Sequence, residues 1–489
     1  MFPRIVLAAA AASLFVLRAE IVAQPAEAGR AEVQAGDMVV LIEAAKLKTG
    51  VIVVGDLPKG TEFQVLKIQG NWLGGSATVD GKKQNGWVER ARVTKRLTAA
   101  IADASWPGWL GPNRDGKSPD VGLLKQWPDN GPKLLWKADG IGVGFSSVAV
   151  AAGRVYITGD QDGKLWIFAF DRHGAPLWKT DCGGSHGGPD GSRSSPVIDG
   201  GNLYLVNGNG LVGCFDAASG EKRWSRDAKE FGGSPGGWGY AESVLIYKNM
   251  AIFKPGGKNC IVALDKTNGE TLWKSSGFEA GPEYGSSIAV NFQSQPMIVT
   301  GTSRGIFAVD ADQGTLLWSN DWSAGNTANC TTPAYADGYV FWSNAYGKGG
   351  ICLKLKKEGG KVAADVAWTT HDMVCHHGGY VIHQGYIYGN HEDGWACLDL
   401  KTGQKKWNER AVGKGSLCFA DDMLYLFSEN NGHAALATCS PEGLKLKGKV
   451  KVEGDGPSWA HPVVAGGRLY LRYDKHLYCF DVLNREAVR

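Results

Sequence analysis

Val262-Ala263-Leu264-Asp265-Lys266-Thr267-Asn268-Gly269-Glu270-Thr271-Leu272-Trp273 is the stretch that decides the fold. It reads as an apolar strand, then a tight turn, then a second strand ending in Trp. In the turn Asp265 supplies a side-chain acceptor and Gly269 a positive-φ position. The same order recurs along the chain. Phe168-Ala169-Phe170-Asp171 leads to Trp178, Cys214-Phe215-Asp216 to Trp224, Ala308-Val309-Asp310 to Trp318, and Cys397-Leu398-Asp399 to Trp407. Looser copies run from Ile351 to Trp368 and from Ala435 to Leu446. Successive Trp lie about 40 to 50 residues apart, the period of propeller blades.

Each repeat has an earlier half, in which small hydroxylated residues lead into a strand, a turn and a second apolar strand. Ser194-Ser195-Pro196-Val197-Ile198 before Gly201-Asn202-Leu203-Tyr204-Leu205 is one example, and Thr331-Thr332-Pro333 before Gly338-Tyr339-Val340-Phe341 is another. The units predict an all-β, eight-bladed β-propeller over residues 133–485, because such blades bury their faces only by packing against one another. The last unit stops after Leu477-Tyr478-Cys479-Phe480-Asp481, while an orphan strand, Lys133-Leu134-Leu135-Trp136, precedes the first. The strand at Trp136 is therefore expected to complete the final blade, since an unpaired edge would otherwise stay open.

Around this ring the chain divides into three further parts. Residues 1–28 carry Arg4, an apolar run from Ile5 to Leu17 and small residues before Ala26-Glu27-Ala28. This reads as a secretory signal peptide, too short and too interrupted for a spanning helix. No Cys near the cleavage region suggests a lipid anchor, so a periplasmic or secreted monomer with no transmembrane segment after cleavage is expected. Residues 32–97 show five short strands with Gly turns, the pattern of a small β-barrel. Residues 98–132 read as a linker followed by an extended leader, Trp106-Pro107-Gly108-Trp109-Leu110-Gly111-Pro112. Two Trp that can each bury roughly 150 to 250 Å² should hold that leader against the propeller.

Lys and Arg number 52 against 49 Asp and Glu, a net charge of +3. That balance leaves no basic surface of the kind that nucleic acid requires, so a protein or cell-envelope partner is expected instead. Ten Cys in an exported chain raise the question of disulfides. Cys214, Cys352, Cys397 and Cys479, however, occupy the positions of Ala169, Ala263 and Ala308 in other repeats. Stacked sheets hold such positions about 10 Å apart, beyond the reach of a bridge. These four read as small buried thiols, whereas Cys330 and Cys375, both near the start of an inner strand, leave a bridge open.

The Ala-x-Asp-x-x-x-Gly-x-x-x-Trp repeat resembles the PQQ-like repeat propellers, a family that includes quinoprotein alcohol dehydrogenases and the BamB-type propeller of outer-membrane β-barrel assembly. Residues 32–97, with Asn71-Trp72-Leu73 and Gly86-Trp87-Val88, resemble bacterial SH3-like domains. There the matching aromatics often line a groove, but Trp72 and Trp87 are expected here to be core residues. The propeller resemblance implies that Trp136, Trp178, Trp224, Trp273, Trp318, Trp368 and Trp407 dock blade to blade. It also implies, for the dehydrogenase branch, PQQ with Ca²⁺, an Asp base and a disulfide floor made by adjacent Cys. This chain has no Cys-Cys pair and no Cys-x-x-Cys-His. The reading taken forward is a non-catalytic binding or scaffold protein with no cofactor. The alternative is a PQQ-dependent dehydrogenase in which Trp238 or Trp459 stacks on the quinone and Glu242 ligates the metal.

Against the uniform Ser and Thr at the inner-strand starts, larger groups stand out as candidates for a ligand at the channel mouth. They are Arg193, Trp238, Tyr240, Glu242, Tyr284, His376, His377, Lys414, Trp459 and His461. Polar channel walls are where folds of this kind bind. No metal site is expected, because adjacent strand residues such as His376 and His377 point to opposite faces.

Overall fold

The structure, a computed structural model, describes residues 33, 38–41, 43–50, 52–59, 61–79, 81–95, 105–186, 188, 191–325 and 327–485. The signal-peptide reading and most of the linker lie outside the described residues. The chain divides into two compact units at Thr94. Among the described residues no helix is long and apolar enough to cross a membrane.

In the first unit seven strands, rather than five, form one sheet. In chain order they are Met38–Leu41, Ala45–Thr49, Ile52–Leu57, Glu62–Gln69, Trp72–Val79, Lys82–Glu89 and Val93–Lys95. Its core is Val39, Leu41, Leu47, Phe63, Val65, Leu73 and Val88. Trp72 and Trp87 are not part of that core. The two-residue period of the strand gives the core face to their neighbours Leu73 and Val88. Both indoles are left half-buried, with Lys48 Nζ 5.4 Å from the Trp72 ring and Lys67 Nζ 4.8 Å from the Trp87 ring.

Among the described residues the second unit holds eight sheets, numbered here in chain order and antiparallel except for one short strand of the seventh. The opening stretch belongs to the third, made of Leu245–Tyr247, Met250–Phe253, Val262–Asp265 and Thr271–Lys274. Its turn forms as read: Asp265 Oδ1 accepts the Thr267 N–H at 2.8 Å, and Gly269, at φ 77°, donates to the Asp265 carbonyl. The eighth sheet contains Val463–Ala465, Arg468–Tyr473 and His476–Asp481, with Lys133–Ala138 as its fourth strand and Trp136 opposite Cys479. The two ends of the repeat array therefore share one sheet. All ten cysteines are free thiols, Cys330 and Cys375 included.

The repeat Trp join each sheet to the next. Trp136, Trp224, Trp368 and Trp407 donate their indole N–H to the carbonyls of Arg172, Lys266, Leu400 and Ser440 at 2.8 to 3.1 Å. A Cβ on the turn glycines Gly174, Gly220, Gly269, Gly314 or Gly403 would fall 2.5 to 2.8 Å from the preceding sheet's indole. The repeated Gly thus serves twice, turning the chain and leaving room for Trp.

The hydroxyls at the inner-strand starts bind the ring from inside. Ser147 N–H donates to Ser195 Oγ, Ser195 N–H to Ser243 Oγ, Ser243 N–H to Ser286 Oγ and Ser286 N–H to Thr332 Oγ1, at 2.8 to 3.2 Å. His461 N–H donates to Ser147 Oγ at 2.9 Å and links the eighth sheet to the first. Buried backbone donors need partners, and this belt supplies them across sheet boundaries.

Candidate functional site

The leader crosses the channel. Trp106 exchanges backbone hydrogen bonds with Val150 of the first sheet, and Pro107 O accepts from Ile198 N–H of the second. The Arg114 guanidinium reaches the carbonyls of Ser243 and Val244 at 2.9 and 2.8 Å. Lys117 Nζ donates to Ile382 O, and Lys117–Ser118 adds a parallel strand to Gly415–Ala420 of the seventh sheet. Trp109 sits between these anchors, its indole N–H donating to Thr332 Oγ1 at 2.9 Å and its ring edge-on to His461 at 4.7 Å.

Trp109 also forms the floor of a chamber of about 190 Å³, whose walls are Phe145, Arg193, Trp238, Tyr284, Cys330, Tyr346, His376, His377 and Trp459, with the smaller Ala241, Ser286 and Ala328 between them. Trp238, at 41 % exposure, and Tyr346, at 57 %, stand at its rim. The walls are stacked. His377 lies parallel to Trp459 with centroids 4.2 Å apart, Phe145 packs on Trp459 at 4.2 Å, and Trp238 meets Tyr284 edge-on at 5.6 Å. Arg193 places its guanidinium carbon 5.6 Å from the Phe145 ring and donates to Gly191 O.

Six of the ten residues expected at the mouth therefore line this chamber: Arg193, Trp238, Tyr284, His376, His377 and Trp459. Lys414 and His461 stand just behind it. Lys414 Nζ lies 3.1 Å from His376 Nδ1 and 2.9 Å from Glu429 Oε2, while Glu429 Oε1 accepts the Trp459 indole N–H at 3.1 Å. His461 Nε2 pairs with the His377 carbonyl at 2.9 Å. Because ammonium only donates, His376 Nδ1 is an acceptor and its Nε2–H faces the Tyr346 hydroxyl at 3.2 Å.

Tyr240 and Glu242 do not belong to the mouth. Gly239, at φ 74°, reverses the chain after Trp238 and sends Tyr240 into the core between the second and third sheets, where its hydroxyl donates to Pro255 O. Glu242 is buried beside Lys254, whose backbone N–H it accepts. Burial raises its carboxyl above the ordinary value despite the neighbouring Lys254 and Arg114. Of the residues assigned in the alternative with PQQ and Ca²⁺, Trp238 and Trp459 line the chamber and Glu242 is not among its lining residues.

Strand alternation does not govern His376 and His377. Residues 371–379 are irregular rather than strand, Gly379 takes φ 67°, and both imidazoles face the chamber with centroids 3.6 Å apart. Burial, reinforced by Lys414, lowers His376 to about 4, and burial holds His377 well below its ordinary value, so both rings are neutral near pH 7. Phe145, Cys330, Tyr346 and the floor residue Trp109 carried no sequence signal that set them apart as ligand-facing, and neither did Glu429.

The family model described as outer membrane protein assembly factor BamB matches residues 163–409, half of the chain. This chain belongs to the BamB-type, PQQ-like repeat family. Among its named relatives, the BamB of Kangiella koreensis is 30% identical over 137 residues, covering 27% of this chain and 32% of that protein. The quinoprotein alcohol dehydrogenase PedH of Pseudomonas putida is 29% identical over 156 residues, covering 29% of this chain and 25% of that protein. The chain thus spans about a quarter to a third of the length of these two curated relatives. The crystal structure of BamB from Moraxella catarrhalis superposes with a TM-score of 0.53 at 15% identity, covering 71% of this chain and 97% of that one, a likeness of fold. Since the relatives of this BamB-type chain include both an assembly factor and a dehydrogenase, activity has to be argued from the site.

Proposed function

We propose that the protein is a non-catalytic binding propeller of the bacterial cell envelope, and that its chamber takes a flat aromatic group bearing a negative charge, on a small polar ligand or on a partner protein. The observation that carries this reading is the chamber itself, with stacked aromatic walls and the Arg193 guanidinium over Phe145. A volume of about 190 Å³ exceeds the roughly 150 Å³ that accommodates a benzene ring. Aromatic walls with a few fixed polar groups are what such pockets use to orient a ligand. Relatives named as outer membrane assembly factors support the envelope setting.

The test is a titration of the full-length protein with paired aromatic carboxylates and their neutral amides, followed by tryptophan fluorescence and calorimetry. The expected result is one-to-one binding of the carboxylates, weakened at least tenfold by Arg193→Gln and by Trp459→Leu. Equal affinity for the neutral amides would remove the role of Arg193, and turnover of a bound alcohol with an added quinone would remove the non-catalytic reading.

A further inference from the structure

Cys330, His376 and His377 bring one sulfur and two imidazole nitrogens within 4.8 Å of one another at the chamber wall, the one such group of three among the described residues. The donors stand just before two consecutive sheets, the fifth and the sixth, and the packing of those two sheets brings them together. His377 Nδ1 is sealed from solvent and has no hydrogen-bond partner. A buried nitrogen in that state has given up water with nothing in return unless something takes its lone pair. From this geometry we propose that Cys330, His376 and His377 bind a single Cu(I) ion.

The donor set and its surroundings select the metal. Thiolate and imidazole together suit Cu(I) and Zn²⁺, whereas Ca²⁺ and Mg²⁺ require oxygen. A three-donor group is complete for Cu(I), whereas Zn²⁺ on three protein donors needs a water or a ligand in a fourth position. Charge points the same way. One thiolate and two neutral imidazoles make a Cu(I) centre neutral, which suits a chamber that already holds Arg193 and has Lys414 against His376. The same ligands on Zn²⁺ would leave a positive centre in a chamber lined by Arg193, the Lys414 charge being balanced by Glu429. Bonds of about 2.0–2.3 Å place trigonal donors about 3.6 Å apart, so roughly an ångström of side-chain movement closes the site.

Cys330 gives up the proton it now directs at the Ala328 carbonyl, a sulfur–copper bond forms, and the proton passes to solvent. His376 exchanges one of its present partners, Tyr346 or Lys414, for the metal, and Lys414 retains Glu429. The neighbouring thiol Cys375 points elsewhere, with its Sγ on the Gly379 carbonyl.

This inference goes beyond the binding role above and does not depend on it, since copper uptake and carboxylate binding are read separately. Full-length protein is titrated without air with Cu(I) against a chromogenic Cu(I) chelator, and separately with Zn²⁺. The expected result is uptake of one Cu(I) with a thiolate-to-copper absorption in the near ultraviolet. Affinity should fall by roughly 100-fold or more in Cys330→Ser and His377→Gln, since even outer partners of a metal site are worth 10- to 100-fold. Cys375→Ser, checked for an unchanged melting transition, should bind as the parent does. No one-to-one uptake, equal uptake by Cys330→Ser, or tighter one-to-one binding of Zn²⁺ than of Cu(I) would each overturn the assignment.

Discussion

Trp109 of the leader donates its indole N–H to the hydroxyl of Thr332 at 2.9 Å, so a residue from before the first sheet and one from the start of the fifth meet in the middle of the ring. The floor of the chamber and the anchoring of the leader are therefore one contact. Trp109→Phe should keep the packing and lose the hydrogen bond, at about 1 kcal/mol. Trp109→Ala should cost about 3 kcal/mol and also weaken carboxylate binding. Denaturant unfolding checks the two stability values. Equal stability of the two variants would show that the indole is not seated as described.

The hydroxyl belt makes a second, sharper comparison. Ser243 Oγ accepts the buried N–H of Ser195, whereas Ser287 Oγ is buried with no partner. Ser243→Ala should destabilise by about 1–3 kcal/mol, because it orphans a donor, and Ser287→Ala should be neutral or stabilising. Melting of both proteins decides it, and a larger loss in Ser287→Ala would contradict the belt.

Glycine substitutions separate turning from packing. A methyl group added at Gly163, where φ is 72°, would meet nothing within 4 Å, while one added at Gly220, where φ is 77°, would fall 2.6 Å from the Trp178 ring. Gly163→Ala should cost about 1 kcal/mol for the left-handed backbone alone. Gly220→Ala should cost about 1–3 kcal/mol more, because the indole and the Thr180 hydroxyl, 2.3 Å from the added methyl group, must both move. Equal losses by chemical denaturation would mean that Trp178 and Thr180 do not pack on that turn.

Acid should loosen the sixth sheet through His391. Its Nδ1 accepts the Val374 N–H at 3.1 Å, and burial holds its pKa below the ordinary value. The folded state binds the proton less readily than the unfolded chain, so the stabilisation is complete above about pH 6.5 and is lost as pH falls through the lowered folded value. The melting temperature of His391→Gln should fall less steeply between about pH 7 and 4.5 than that of the parent. Parallel profiles would assign the acid sensitivity to other groups.

Much of the ring was legible because its rules are local and repeated. Asp265 and Gly269 announce a turn, Trp273 a strand end, and the unpaired strand at Trp136 the closure with Cys479. The same repetition marked Ser195 and Thr332 as alike, although their hydrogen bonds across sheets could be seen only in space. The mouth was legible in part. Tyr240 left it because Gly239 flips the chain by one positive φ, which alternation along a strand does not encode. His376 and His377 both entered it because their segment is not a strand. Trp109 was hidden for the opposite reason: the leader has no period, so nothing in the order of its residues says which one reaches the axis.

The shared eighth sheet has a consequence for the growing polypeptide. A ribosome delivers Trp136 long before Cys479, so every nascent chain carries its clasp unfastened until almost the whole array has been made. A product released early, lacking His476–Asp481, would hold two raw strand edges at once, and quality-control proteases would meet it as an open horseshoe.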